Sequence, residues 1–505
     1  MVERVTANSR QNNSLRNIFR ITAELSDAQR QVSTGKRIEK PSDDPTGTRD
    51  ALSLRTGVSR TEQFTRNIDN NRIFLQSSDS ALNTIGTSLN RAKELGIQGL
   101  GGTATASTRT FAADEINNLL EQVLQSGNTK VKNLFVFSGT NTRTTPFEVS
   151  ASGAVYRGST SKFDIPIADN AAIEFSLPGS DVLAVDLDPS IDNNTSLSVL
   201  NGGTGVSAGS FTITNRAGSS ATLTVSAGDT IGTLISNINA AGINVTATIN
   251  AEANGLTLTD TNTTILGELT IAEAGGNTAQ NLGILGSRDG VFAGTDLNPA
   301  VSSATLISQL NKGAGATLNS ISIINGAASG TVSLSSATTI GDVITAINSS
   351  GLNVTASINR AGNGLRVQSN SSSTVAIVNE VGTGNAAETL GIGGGKNVLN
   401  TLIDLRDALR KSDSRAIIAS LTNLDSAISS VTESRAILGG IQGRIESTYS
   451  FHQVDIVAQQ EQISNIEDAD LAQQASRLAT LEFALQSTLN ATSRIIQPTL
   501  LDFLR

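Results

Sequence analysis

The sequence predicts an α+β multidomain protein: a discontinuous helical-bundle or coiled-coil core drawn from both termini, a β-hairpin region, and two small α+β repeat modules inserted between the ends. Three observations carry this. Apolar residues recur at coiled-coil spacing near both ends, the middle is rich in Thr, Ser and Gly with little charge and a strand pattern, and that middle holds an internal duplication. A chain of 505 residues also exceeds what one hydrophobic core organises.

The first helix is expected from about Asn12 to Thr34, with Leu15, Ile18, Leu25 and Val32 on one stripe and Gly35 as the residue that ends it. In the loop that follows, Pro41 stops helix propagation, Asp44 is placed to cap the next helix, and Pro45 suits a first helical position that needs no amide hydrogen. Asp43 and Asp44 therefore read as capping residues before they read as a catalytic or metal pair. From Phe64, alternating steps of four and three reach Ile68, Asn71, Leu75, Ser78, Leu82, Ile85, Leu89 and Ala92, and seven of these nine positions are apolar. Such a stripe must be covered by a partner helix. The helix is expected to reach about Gly99, break at Gly101-Gly102 and resume near Ser107. After Phe137-Ser138-Gly139 the period changes to that of short strands and turns, including Val155-Tyr156-Arg157-Gly158.

Residues 230–261 and 339–370 align without gaps, with 16 of 32 residues identical. Each copy predicts a strand, a short amphipathic helix (Ile231, Leu234, Ile235, Ile238; Ile340, Val343, Ile344, Ile347) and a hairpin at Asn254-Gly255 or Asn363-Gly364. Phe211 and Phe292 are the only aromatic residues between 199 and 393, so both cores are light. Beyond the repeats, stepping from Leu421 reaches Leu424, Ile428, Val431, Arg435, Leu438, Gln442, Ile445, Tyr449, His452, Ile456, Gln459, Ile463 and Ile466, with ten of fourteen positions apolar. Asn71, Arg435 and Gln442 are polar interruptions of the kind that fix register. A last helix carries Leu471, Leu478, Leu485 and Leu489. The expected domains are terminal arms at 1–37 plus 467–505, a rod with the hairpin region at 38–190 plus 396–466, and repeats at 198–290 and 305–395.

Composition narrows the function. Without cysteine, thiol chemistry is excluded, and the net charge of −9 argues against general nucleic-acid binding. Residues 1–20 hold four arginines but no apolar run of signal-peptide length, and no window approaches a membrane span, so membrane insertion is not expected and export would use a route without a cleaved signal. Residues 1–37 carry a net +4 and residues 467–505 a net −2, so the ends attract, although exposed pairs contribute only about 0 to 1 kcal/mol each. His452 is the only histidine and lies on a predicted helix far from the insertion, which removes zincin and Ser-His-Asp chemistry. Convergence of Asp229, Asp260 and Asp342 would be needed for carboxylate-pair hydrolysis. Gly203-x-Gly205 and Gly393-Gly394-Gly395 lack the strand, helix and acidic partner of a dinucleotide site and read as loops. No enzymatic role and no cofactor is expected.

The segment from Ser33 to Pro45 (STGKRIEKPSDDP) resembles the signature of flagellins and their junction relatives, and so does Ile463-Ser464-Asn465-Ile466-Glu467-Asp468-Ala469-Asp470. Phe137-Ser138-Gly139-Thr140, Pro146-Phe147 and Val155-Tyr156-Arg157-Gly158 are similar to the hook–filament junction branch of that superfamily, and the duplicated unit resembles the hook-IN motif. The resemblance implies terminal helices forming the inner part of a helical tube, a surrounding shell of longer helices and hairpin, and inserted domains facing outward. It implies export through the flagellar type III pathway with a chaperone near the C-terminal helix, an extracellular location, and assembly with other copies between hook-associated protein 1 and flagellin. Subunit-interface residues are then expected at Leu15, Ile18, Leu25, Val32, Phe64, Ile68, Leu75, Leu82, Leu471, Leu478, Leu485 and Leu489, and Gly35, Pro41, Asp44 and Pro45 form the helix–loop signature. Two neighbouring expectations are a filament subunit and a junction subunit whose repeats act as an adhesin.

Overall fold

The computed structural model of the chain describes residues 7–150 and 153–496. In chain order the elements are α1 (Ala7–Thr34), α2 (Pro45–Leu100), α3 (Ala106–Gly127), β1 (Lys130–Val131), β2 (Leu134–Phe135), β3 (Phe147–Ser150), β4 (Gly153–Tyr156), β5 (Asp164–Ala168) and β6 (Ala171–Glu174). The first repeat holds β7 (Gly209–Thr214), β8 (Ser220–Val225), α4 (Ile231–Asn239), β9 (Val245–Ile249), β10 (Leu256–Asp260), β11 (Leu269–Glu273), α5 (Thr278–Asn281), β12 (Gly286–Arg288) and β13 (Val291–Ala293). The second holds β14 (Ser320–Asn325), β15 (Ala328–Ser333), α6 (Ile340–Asn348), β16 (Val354–Ile358), β17 (Leu365–Ser369), β18 (Ala376–Glu380) and α7 (Ala386–Thr389), before α8 (Val398–Arg410), α9 (Ser414–Glu467) and α10 (Leu471–Ile496). The fold is α+β, as the periodicities predict. Two compact units divide the described residues: 7–69, 166–172 and 444–496 form one, and 70–150, 153–165 and 173–443 the other.

In the larger unit the helical part is α2 from Asn70 onward with α3, α8 and the first part of α9. The predicted seam is its core: Leu75, Ser78, Leu82, Ile85, Leu89 and Ala92 are buried, as are Leu424, Val431 and Leu438 from the C-terminal stripe. Arg435, a polar interruption, pairs with Asp79 at 3.0 Å. Gly99 lets α2 approach α8 so closely that a Cβ there would collide with Leu409. The β-hairpin region closes on itself through residues the sequence singled out. The Tyr156 hydroxyl lies 2.9 Å from the carbonyls of both Phe137 and Ser159, its ring packs 5.4 Å from Phe147, and Gly158 leaves the room that ring needs. Gly139, at φ +57°, presses against the Ser159 carbonyl where no side chain fits.

Each repeat has its own core, and the strand expected before the amphipathic helix is a hairpin, β7–β8 or β14–β15. The first copy forms sheets in the orders β12-β11-β7-β8 and β13-β10-β9, and the second β15-β14-β18 and β16-β17. The duplication extends further back than the aligned stretch. Asp186-Leu187-Asp188-Pro189 and Asp296-Leu297-Asn298-Pro299 stand 110 residues apart, and each precedes a matching Leu-Asn-x-Gly-x-Gly loop. These two linkers cross over. Leu187 is buried in the core of the second copy, where its amide donates to Asn363 O at 2.8 Å, while Ile191 is buried in the core of the first. Reciprocally, Leu297 packs into the first copy, with its amide on Asn254 O at 2.8 Å, and Val301 into the second, with its amide on Gly362 O at 2.6 Å. The first copy, 191–300, is thus spliced into a second copy made of 186–190 and the residues from 301 onward.

Three carboxylates gather at this root. Burial pushes Asp186 up to about 7, with Asp188 beside it adding to the rise, and hydrogen bonds from the Asp188 amide and Asn363 Nδ2 opposing it. Burial likewise raises Asp188 and Asp296, and Lys312 lies 3.9 Å from Asp188.

Two outcomes follow from the root. Excising residues 191–300 and joining Ser190 to Val301 leaves a protein that unfolds cooperatively within a few degrees of the parent by calorimetry; Leu187→Ala, which empties a fully buried site, costs about 2–5 kcal/mol. A carboxyl held near pH 7 in the fold and near 3.8 when unfolded binds its proton more tightly in the folded state, so stability falls as pH rises from 3.8 through about 7. Thermal midpoints measured between pH 4 and pH 8 decline less steeply in Asp186→Asn than in the parent.

Candidate assembly surfaces

In the smaller unit α1 and α10 pack along each other. The face α1 turns inward is centred on Ile21 and Ala28, both buried, with Ile18 and Leu25 half-buried beside them; on α10, Leu478 and Leu485 are half-buried. The other four predicted arm positions remain open: Leu15 is 39% exposed, Val32 37%, Leu471 52% and Leu489 49%. Two phenylalanines that the stripe analysis missed are more open still, Phe19 at 72% and Phe483 at 75%. Extending the apolar count beyond one stripe would have found them. Two paired helices bury one stripe each, and these helices carry apolar residues on more than one face.

The two signature segments, more than 400 residues apart in sequence, meet in a clasp. Gly35 ends α1 at φ +71°, which frees the chain to turn, and its carbonyl accepts from the Ala469 amide at 2.9 Å. The Arg37 and Ile38 amides both donate to Glu467 O, at 2.6 and 3.2 Å, and Lys36 forms a β-bridge with Asp468. The Arg37 guanidinium reaches Ile466 O at 2.6 Å. Glu467, whose side chain is only 9% exposed, takes Arg55 at 2.5 Å and Lys36 at 3.4 Å. Asp44 caps α2 as expected, accepting from the Gly47 amide at 2.9 Å, and Pro45 is the first residue of the helix. Asp43 folds the loop by accepting from the amides of Lys40 and Glu39, and these hydrogen bonds hold its carboxyl below the usual range; the Gly47 amide does the same for Asp44. Asp470 caps α10 through the amides of Ala472 and Gln473, each at 3.0 Å. Of the terminal charges read from sequence, Glu3, Arg4, Asp502 and Arg505 lie outside the described residues.

Within this unit the rest of the seam is Ile68, Ile445 and Ile456, all buried, with Phe64 half-buried. His452 is a seam residue. Its ring stacks on Phe64 with centroids 6.0 Å apart, and Nε2 lies 2.7 Å from Ile167 O, so that nitrogen carries the proton and donates it. Beside it α9 exposes Phe451 (67%), Val454 (70%) and Val457 (62%).

The carboxylates weighed for hydrolysis are used locally instead. Asp229 and Asp342 close the turns that start α4 and α6, and Asp260 accepts from the Arg216 and Asn262 amides. Asp229 and Asp260 belong to the first repeat and Asp342 to the second. Among the described residues no group of three or more metal-ligating side chains occurs, and no helix is long and apolar enough to cross a membrane.

Comparison with known proteins matches both helical regions and each of the repeats. The bacterial flagellin N-terminal helical region matches residues 5–142, the bacterial flagellin C-terminal helical region 421–504, and the flagellin hook IN motif matches twice, at 210–262 and 320–371. The flagellar hook-associated protein 3 of Escherichia coli (strain K12) is 31% identical over 137 residues, covering 26% of this chain and 43% of that protein; a flagellin of Clostridium tyrobutyricum is 29% identical over 118 residues, covering 23% and 31%. The matched stretch thus spans less than half the length of either curated relative. Among solved structures, the flagellar hook-associated protein-3 of Legionella pneumophila aligns at TM-score 0.38 and 15% identity over 82% of this chain and 98% of that one, and FlgL of Xanthomonas campestris at TM-score 0.37 and 14% identity over 81% and 98%. With flagellin helical regions at both of its ends and two hook IN motifs between them, the chain belongs to the flagellin superfamily.

Proposed function

We propose that this protein is a non-enzymatic structural subunit of the bacterial flagellum that joins hook to filament, assembling through its terminal helices with further copies of itself between hook-associated protein 1 and flagellin. The observation that carries the proposal is the pairing of α1 with α10 while Phe19, Phe483, Leu471 and Leu489 stay exposed. Apolar side chains left open along two long helices are surface for neighbouring subunits to cover. In this reading the clasp sets the point at which the two arms leave the longer helices, and the repeats face outward. The similarity to hook-associated protein 3 favours the junction over the filament. Export by the flagellar type III route, with a chaperone on the C-terminal helix, completes the proposal and places the assembled protein outside the cell.

The arms are proposed to order fully only on assembly, because a single helix pair leaves part of their apolar surface in water while the backbone entropy of ordering them is lost in full. Amide exchange across residues 12–34 and 471–493 is then fast in the free monomer and slow in the assembled form; slow exchange in the monomer rejects the idea. Phe19→Asp and Phe483→Asp leave the monomer's circular dichroism unchanged but abolish incorporation into flagella. Immunogold labelling of isolated flagella gives a narrow band where hook meets filament, whereas label along the whole filament identifies a filament subunit.

Glu467→Ala removes the carboxylate shared by Lys36 and Arg55 and costs about 1–3 kcal/mol, read as faster proteolysis in the 35–44 loop and a lower denaturation midpoint.

A further inference from the structure

The two repeats are close copies, but β12 and β13 of the first have no counterpart in the second. In the first, β13 lies antiparallel on the outer edge of β10, with Ala293 opposite Thr257, Phe292 opposite Leu258 and Val291 opposite Thr259. This makes β10 a central strand, with Leu258 fully buried. In the second copy β17 is the counterpart of β10, and Arg366, Val367 and Gln368 stand where Thr257, Leu258 and Thr259 stand. No counterpart of β13 follows it. The chain passes from Ile392 through three glycines towards α8, and β16–β17 stays two-stranded. Val367 is accordingly half-buried and Gln368 exposed.

The uncovered edge of β17 borders a cleft of about 170 Å³, lined across from it by Ile403, Asp404 and Asp407 of α8. Asp407 already accepts from Arg406 at 2.8 Å. Asp404 has no hydrogen bond or ion pair among the described residues; burial, with Asp407 close by, raises its carboxyl to about 8, while the charges of Arg366 on β17 and of Arg406 oppose the rise. An edge strand with free backbone groups is a template for another strand, and the first repeat displays the product of such an addition in the same chain.

We propose that this cleft accepts an extended segment of another protein, which adds to β17 as a third strand, sets an aromatic side chain over Val367 as Phe292 is set over Leu258, and brings a Lys or Arg to Asp404. A second copy of this chain is disfavoured as the donor because its own matching segment, Val291–Ala293, is already paired with β10 and its Phe292 is buried in its own module.

The test titrates the full chain with an end-blocked peptide of residues 286–294, GSRDGVFAG, whose Arg288 and Phe292 supply the cation and the ring. Calorimetry shows saturable one-site binding, and amide exchange slows across residues 365–369. Replacing the peptide phenylalanine with alanine weakens binding about tenfold or more, as does Asp404→Lys in the protein. Ile403→Trp, filling the cleft from α8, abolishes binding with circular dichroism and thermal unfolding unchanged; should it unfold, Asp404→Lys and the alanine peptide decide. Absence of saturation at millimolar peptide, or binding indifferent to the phenylalanine and to Asp404, overturns the proposal. So does a dimer of the full chain that the peptide dissolves, since that assigns the cleft to a second copy.

Discussion

The constraint on which the rest depends is that segments near opposite ends of a long chain must find each other. Residues 35–38 and 466–469 are joined by backbone hydrogen bonds, with the Glu467 carboxylate buried at the centre of the joint and two cations drawn to it. Every residue between is a loop closed by that joint. The entropic cost of closing such a loop grows only slowly with its length, which is why several hundred residues of insertion are compatible with a small helical frame. Extended apolar seams on either side of the joint supply the affinity, and the clasp supplies the register.

Periodicity made the seams legible. From Phe64 to Ala92 and from Leu421 to Ile466 every stepped position proved buried or half-buried, because a 3–4 alternation reports directly which face of a helix is covered. Capping chemistry was equally direct at Gly35, Asp44 and Pro45. The clasp itself was not readable: its central contacts are main-chain amides on Glu467 O, and main-chain groups are the same in every residue. In the arms, a one-stripe reading found Leu15 and Leu489 but passed over Phe19 and Phe483, which lie on another face of the same helices.

In the repeats, sequence identity exposed the duplication but understated its extent. Only a few residues of each linker recur, yet Leu187 and Leu297 are buried like any core leucine. The turn between β12 and β13, which join different sheets, had a readable signal, Asp289-Gly290 before Val291-Phe292, that the repeat alignment hid because the second copy has no counterpart. Placement of the aspartates shows the same economy. Asp229 and Asp342 close the turns that start helices and the buried Asp260 answers the Arg216 and Asn262 amides, while further acids gather at the root of the insertion and on α8.

Splicing of one repeat into the other has a consequence for how such a chain changes over generations. Ser190 and Val301 both rest on the second copy, so anything placed between them enters and departs at a single port. Under the proposed function, gain or loss of a whole module there would change the outward bulk of the subunit while the assembling helices keep their sequence, so that variation in the one becomes separable from the other.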